Sequence, residues 1–305
     1  MFTKVAPMLL YSVSSVHAGS GSEVGVVDLP IQRERHTGFP KIESSSLKGA
    51  IRATVELGPS DREKVELAFG SAPAGGSDQN NQSSVAGALT FSDARILLFP
   101  VKSLKGVFAY ITCPYVISRF NNDLETYCPG FPLLPIPESN TVSSDLLVVG
   151  DKSQIVLEEY TYTVKVDQTT KELADRLCSA IFQTDTGKGR LAGRLVVVSD
   201  DEFADFVQLS TEVNARVRVD SKTGIVTSGA LWYEENLPPE TVLYAFVFAG
   251  EPRVNEPEAL KSAEEVLGFV KDDEVFPPVF QLGGNNTLGR GMLRRIWLTK
   301  EDDHV

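Results

Sequence analysis

The chain is poor in the residues that build metal centres and covalent cross-links. Its 305 residues include three cysteines and three histidines. Cys113, Cys128 and Cys178 are odd in number and far apart, and no CxxC or Cys/His pair stands at ligand spacing. That argues against a disulfide framework and a zinc module, and it suits a reducing cytoplasm. Long hydrophobic runs are missing too, and none approaches the roughly 18–20 residues of a membrane-spanning helix. The opening MFTKVAPMLLYSVSSVHA loosely has the cation, apolar stretch and small-residue end of a secretory signal. Pro7 and the serines interrupt it, however, and KVAPMLLYSV serves as an opening strand. Positive charge is scarce, with 29 Lys and Arg against 41 Asp and Glu, a net charge of -12. Coating nucleic acid by bulk charge is therefore disfavoured, whereas a local basic groove is not.

What remains is an ordinary globular composition, 42% hydrophobic and 23% charged, long enough for one large core or two smaller ones. A strand over 3–13 ends in a glycine-serine loop. Ser44, Ser45 and Ser46 offer capping oxygens to a helix through LKGAIRATVEL, which stops at Gly58-Pro59. Residues 71–87 are polar and glycine-rich and read as a flexible loop. Two strands follow, ALTFSDARILLFPV and GVFAYITCP. The region 120–200 reads as an insertion, irregular at first, then strand-like in IVLEEYTYTVKV, then a helix (KELADRLCSAIF) and a strand (RLVVVS). A helix (DEFADFVQL), a hairpin (VNARVRVD-SKTG-IVTSG), a buried strand (TVLYAFVFAG), a helix near 256–269 and a last strand (MLRRIWLTK) complete the chain. Strand, helix, two strands, and later helix and strand is the order of an α+β, ferredoxin-like (RRM-like) βαββαβ core carrying large insertions.

Chemistry concentrates in two stretches. The first, residues 17–52, joins a glycine-serine loop, one aspartate, a clump of cations and a helix start. Such a loop feeding a helix N-terminus can hold phosphate. Ser45 and Ser46 sit at that helix start, and Lys48 and Arg52, four apart, share one helical face above it. A solvated charged face has the same appearance. The second stretch, QLGGNNTLGRGMLRRIW, places Gly283, Gly284, Gly289, Arg290 and Gly291 before a strand. Glycines there let phosphate approach the main-chain N–H groups. A nucleotide P-loop would instead open a helix and end in GK[ST]. Lys102, Lys105, Arg216, Arg218 and Arg294 are weaker candidates. Asp28, in VVDLP, projects a carboxylate from extended backbone before a proline. Such a group can take a proton from an RNA 2′-OH or help hold a divalent cation at a phosphate. His17 can give a proton to a leaving oxygen, since histidine is the side chain whose unperturbed pKa lies near neutrality. A loop aspartate and a structural histidine would look the same in sequence. Arg33, Glu34, Arg35 and His36 can steady phosphate or pair among themselves.

HAGSGSEVGVVDLPIQRERHTGFP followed by SLKGAIR, about thirty residues in order, closely resembles the repeat-associated mysterious proteins of CRISPR effector complexes. Within that family the likeness is to the Cas7-type backbone subunits of type III-B complexes. The resemblance implies one Cas7-like domain over 1–305, with palm and thumb, in which 14–43 forms a thumb-like or catalytic loop. It implies a glycine-rich loop lying against guide RNA (crRNA), a cleavage aspartate at Asp28, and functional positions at His17 and at Glu234 in ALWYEENLP. Asn236 stands where the family often has tyrosine. The expected partners are guide RNA, base-paired target RNA, further copies of the chain in a filament and other subunits of the complex, with no membrane. The expected activity is cutting of target RNA at regular intervals in antiviral defence, in the cytoplasm, with a divalent cation, Mg2+. Two alternatives remain open at this point: a guide-RNA scaffold that has lost cleavage, and an unrelated acid–base enzyme using His17 and Asp28.

Overall fold

The computed structural model describes residues 2–22, 25–71, 86–150, 153–182, 185–254, 257 and 259–300. Most of the expected 71–87 loop lies outside the described residues. In chain order the first elements are β1 (Lys4–Ser12), β2 (Lys41–Ile42), α1 (Ser44–Leu57), α2 (Arg62–Phe69), β3 (Leu89–Phe91), β4 (Ala94–Lys102) and β5 (Phe108–Thr112). Next come α3 (Pro114–Tyr127), β6 (Thr141–Val142), β7 (Gln154–Leu157), β8 (Tyr160–Thr163), β9 (Lys165–Val166), α4 (Gln168–Ile181) and α5 (Asp185–Ala192). The last are β10 (Leu195–Val197), α6 (Asp200–Leu209), β11 (Glu212–Val219), β12 (Val226–Asn236), β13 (Val242–Ala249), α7 (Ala263–Lys271), β14 (Val279–Gln281) and β15 (Met292–Trp297).

A strand that is apolar on both faces belongs in the middle of a sheet. β1 and β13, buried along nearly their whole length, pair antiparallel there. β15 pairs antiparallel with the other edge of β1, and β4 with the other edge of β13. The resulting order β15-β1-β13-β4 splits the parallel pair β1 and β4 by an antiparallel strand. Helices α1 and α7 supply the two crossovers, so the core is ferredoxin-like, as expected. Leu47, Ile51 and Val55, spaced by four, form the buried stripe of α1, and α7 packs on β1 and β13.

The membership of that core differs from the sequence expectation. GVFAYITCP is not its second inner strand. It becomes β5, which extends the sheet beyond β4, and TVLYAFVFAG takes the inner position as β13. The chain therefore leaves the core after β4 and returns at β13, so the departure starts earlier and ends later than 120–200. Among the described residues, four of the eight intervening strands, β5, β6, β9 and β10, prolong the same sheet, and the other four form two separate hairpins. The stretch expected to be irregular opens with α3, where Pro114 at the first helical position starts a helix rather than breaking one. IVLEEYTYTVKV folds back on itself as the hairpin β7–β8. The helix expected near 256–269 starts later, at Ala263, where Ser262 caps it.

Candidate active site

β11 and β12 form a two-stranded hairpin, and its outer residues are exposed on both faces. Its base is different, because Glu234, Glu235 and Asn236 are buried. Against the free edge of that base lie Val16 and Leu29, from the expected 14–43 loop. Leu29 bridges to Glu234 in parallel, its N–H donating to the Tyr233 carbonyl at 3.0 Å, while the Glu235 N–H donates to the Leu29 carbonyl at 3.0 Å. Val16 and Leu237 exchange a pair of backbone hydrogen bonds. Val16 and Leu29 thus lie along the hairpin's base.

Asp28 is half-buried, and its Oδ2 accepts from the Tyr233 N–H at 2.7 Å. Two residues along the same strand, the Glu235 carbonyl accepts from His17 Nδ1 at 2.7 Å. A carbonyl can only accept, so the neutral ring carries its proton on Nδ1 and presents Nε2 as the basic nitrogen. Alternate residues of a strand aim their backbone groups at one edge, so Asp28 and His17 hang from the same side of β12. About 7 Å of strand separates their anchor residues.

The glycine-rich segment closes over His17. Gly284 N–H donates to the His17 carbonyl at 3.0 Å. A Cβ at Gly284 would lie 3.2 Å from His17 Cδ2, and one at Gly19 2.8 Å from Nε2, so the imidazole sits where only glycines leave room on either side. At Gly283, with φ +89°, a Cβ would fall 2.2 Å from the His17 carbonyl oxygen. Gly291 is similarly closed off, 2.0 Å from the Leu282 carbonyl, whereas a Cβ at Gly289 meets nothing within 4 Å.

Glu234, 4% exposed, is turned into the protein. Its Oε1 accepts from Asn285 Nδ2 at 2.7 Å, with Arg290 Nη1 at 3.6 Å and Arg216 Nη2 at 3.7 Å. It thereby ties Arg290 and the glycine-rich loop to both strands of the hairpin. The neighbouring Asn236 is fully buried, so it offers no group at the surface where a tyrosine hydroxyl could stand. Among the described residues, no group of three or more His, Cys, Asp or Glu could hold a metal.

The helix start deviates from the serine-cap expectation. Glu43 is the N-cap residue without a side-chain bond, and the Ser44 N–H is taken by Asp93 Oδ1 at 2.9 Å. Ser45 is exposed, and Ser46 Oγ accepts from Gln32 Nε2 at 3.2 Å. Burial and the Arg52 charge hold the Lys48 amine below its usual range, and Arg52 pairs with Glu56 at 2.7 Å. The RERH cluster divides. Arg33 and Glu34 turn inward, to Glu235 and to Arg119, while Arg35 and His36 remain exposed. Arg294 packs over Tyr11 and Phe182, Lys105 donates to the Val148 carbonyl at 2.8 Å, and Arg218 is exposed.

Two residues were not anticipated from sequence. Gln32 donates to the Gly19 carbonyl at 3.1 Å and accepts from the Glu43 N–H at 2.7 Å, joining the first loop to α1. Glu235 gathers the segment after Asp28. The only signal for it is the doubled acid in WYEEN, which places one carboxylate on each face of a strand.

Residues 9–294 match the RAMP superfamily. The chain belongs to the RAMP superfamily. Among RAMP relatives, it is 39% identical over 290 residues to CRISPR system Cmr endoribonuclease Cmr4 of Pyrococcus furiosus, covering 93% of this chain and 92% of that one. The crystal structure of oligomeric Cmr4 from Pyrococcus furiosus superposes with a TM-score of 0.70 at 30% identity, over 97% of this chain and 99% of that one. The cryo-EM structure of the type III-B Cmr-beta bound to cognate target RNA contains a chain of the same fold. Its TM-score is 0.73 at 22% identity, over 97% of this chain and 98% of that one.

Proposed function

We propose that this chain is a guide-RNA-binding backbone subunit of a type III-B CRISPR (Cmr) effector complex. In this reading it is an endoribonuclease that cuts base-paired target RNA in antiviral defence. The observation that carries the reading is the meeting of Asp28 and His17 on one edge of β12, in a chain 39% identical to a Cmr endoribonuclease. Copies of the chain stack along the guide with other Cmr subunits. Base pairing selects the target, and the protein grips backbone and shape. Ser45, Ser46, Lys48, Arg52 and the loop carrying Gly283, Gly284, Gly289, Arg290 and Gly291 face the RNA backbone.

The target's own 2′-OH is the nucleophile. Asp28 takes its proton as the 2′-oxygen bonds to phosphorus. The bond to the 5′-oxygen then breaks, and charged His17 gives that oxygen a proton from Nε2. The products are a 2′,3′-cyclic phosphate and a 5′-hydroxyl. Glu234 holds the glycine-rich loop in place rather than touching the phosphate. One carboxylate fits Mg2+ because that ion keeps several waters and takes one or two carboxylates together with substrate phosphates. Asp28 is the residue that would hold it, and the ion would supply positive charge at the phosphate. Cys113 and Cys128, both buried and outside any disulfide, are in keeping with a cytoplasmic setting.

So small a catalytic set works only when something else brings the 2′-oxygen, phosphorus and leaving oxygen nearly into line. A labelled complementary RNA is incubated with Mg2+ and either the lone subunit or the assembled complex. Evenly spaced products are expected from the complex alone. Regular products from the subunit without guide would contradict the reading. The buried Asn236 favours one second reading, a guide scaffold without cutting. In that case the assembled complex binds target and yields no products.

A further inference from the structure

Glu234 and Glu235 are adjacent acids on a β-strand, so their side chains leave it on opposite faces. Glu234 holds the glycine-rich loop. Glu235 meets the other partner of the site with every polar group it has. Its N–H donates to the Leu29 carbonyl at 3.0 Å, and its carbonyl accepts from His17 Nδ1 at 2.7 Å. Its Oε2 accepts from the Ile31 N–H at 3.0 Å. Its Oε1 accepts from Arg33 Nη2 at 2.5 Å and from the Thr211 hydroxyl at 2.8 Å. Arg33 in turn donates from Nη1 to the Gly38 carbonyl at 2.9 Å and the Val207 carbonyl at 3.0 Å. At 5% exposure Glu235 lies too deep for an RNA strand to contact.

We infer that Glu235 is a positioning residue that fixes Asp28 and His17 on the edge of β12 without touching substrate. The physical reason lies in the backbone around Asp28. Leu29 and Ile31, on the far side of Asp28 from the glycine-serine loop, are both held by Glu235, one through the main chain and one through the carboxylate. If those bonds go, the Asp28 carboxylate is located by the Tyr233 N–H and the Leu29–Tyr233 bond, and beyond them by the bonds of Pro30 to Ser20 and of Gln32 to Ala18, which lie further along the segment. A displacement of about 1 Å at a reacting group can cost on the order of 100-fold in rate. Thr211 stands just before β11 and Glu235 near the end of β12. The same carboxylate oxygen therefore ties both strands at the hairpin's base to the Asp28 segment.

This inference rests on the proposed cutting role of Asp28, so the test carries Asp28→Ala as a control. Effector complexes are assembled with guide RNA and wild-type, Glu235→Gln, Thr211→Val or Asp28→Ala subunits. Target affinity, single-turnover cutting at saturating target and thermal unfolding are measured on each. Glu235→Gln keeps the shape of the side chain and removes the charge that Arg33 meets. It is expected to slow cutting by about 10-fold or more while target affinity stays within about two-fold. Thr211→Val, which removes one of the bonds and no charge, is expected to slow cutting by a smaller factor at unchanged affinity and unfolding temperature. Cutting at the wild-type rate by both variants, with Asp28→Ala inactive, overturns the inference and leaves the role of Asp28 intact. Equal losses of affinity and rate in both variants, following their loss of stability, also overturn it, because the residue would then serve the fold alone. Wild-type cutting by Asp28→Ala removes the cutting role itself and the inference with it.

Discussion

Gly283 and Gly289 share a left-handed backbone, with φ of +89° and +75°, in opposite surroundings. A methyl group at Gly289 meets open space, so Gly289→Ala costs only the left-handed penalty of about 1 kcal/mol. At Gly283 the methyl would stand 2.2 Å from the backbone of His17, which cannot swing aside as a side chain would. Gly283→Ala is expected to cost about 3 kcal/mol or more and to lower the melting temperature several degrees further than Gly289→Ala. Equal melting temperatures for the two would show that the loop does not hold His17 as described. At this scale Asp28 and His17 stand out as candidates in sequence, because each lies in a distinctive local word. Gln32 and Glu235 carry no such mark, since their roles come from bonds to residues far away in the chain. Glu234 is marked too, but its burial among Asn285, Arg216 and Arg290 depends on a loop some fifty residues later.

Helix α1 shows the same limit for an element. Its serines and its glycine-proline stop locate it, but its cap comes from Asp93, 49 residues downstream. Burial alone would raise the Asp93 carboxyl. The hydrogen bonds from Lys41 and the Ser44 N–H, with the charges of Lys41 and Arg95, outweigh it and hold the group below the usual carboxylate range. A depressed carboxylate contributes stability that is full above its unfolded pKa of about 3.9 and is lost as pH falls through the lower folded value. Asp93→Asn is therefore expected to cost about 1 kcal/mol at pH 7 and much less below pH 3. Urea midpoints at the two pH values measure this, and the same loss at both would remove Asp93 from the cap. The hairpin β11–β12 was legible from its alternation and its SKTG turn. Helix α3 was hidden by Pro114 at its start. The inner strand β13 could not be assigned to the core from order alone, because β5 follows β4 directly while β13 comes more than a hundred residues later.

Over the whole molecule, the ferredoxin-like order was readable because β1, α1 and β15 keep their places in sequence. Which strands completed the sheet depended on long-range pairing. The projecting hairpin is amphipathic. Val213, Ala215, Val217, Leu231 and Tyr233 share one face through their cross-strand pairs, and Asn214, Arg216, Trp232 and Glu234 the other. A two-stranded hairpin exposed on both faces is marginal alone, which suits the assembly that the proposed function requires. In the proposed function, a chain of net charge -12 with few catalytic groups depends on the assembly both to bind RNA and to align it. The central claim is that Asp28 acts on the scissile phosphate while other residues grip the backbone. It is tested most directly by cutting and target binding measured side by side on complexes built with wild-type or Asp28→Ala subunits. The account predicts no detectable evenly spaced products from Asp28→Ala complexes, with guide and target binding nearly unchanged. Cutting at the wild-type rate and spacing by Asp28→Ala complexes would contradict it.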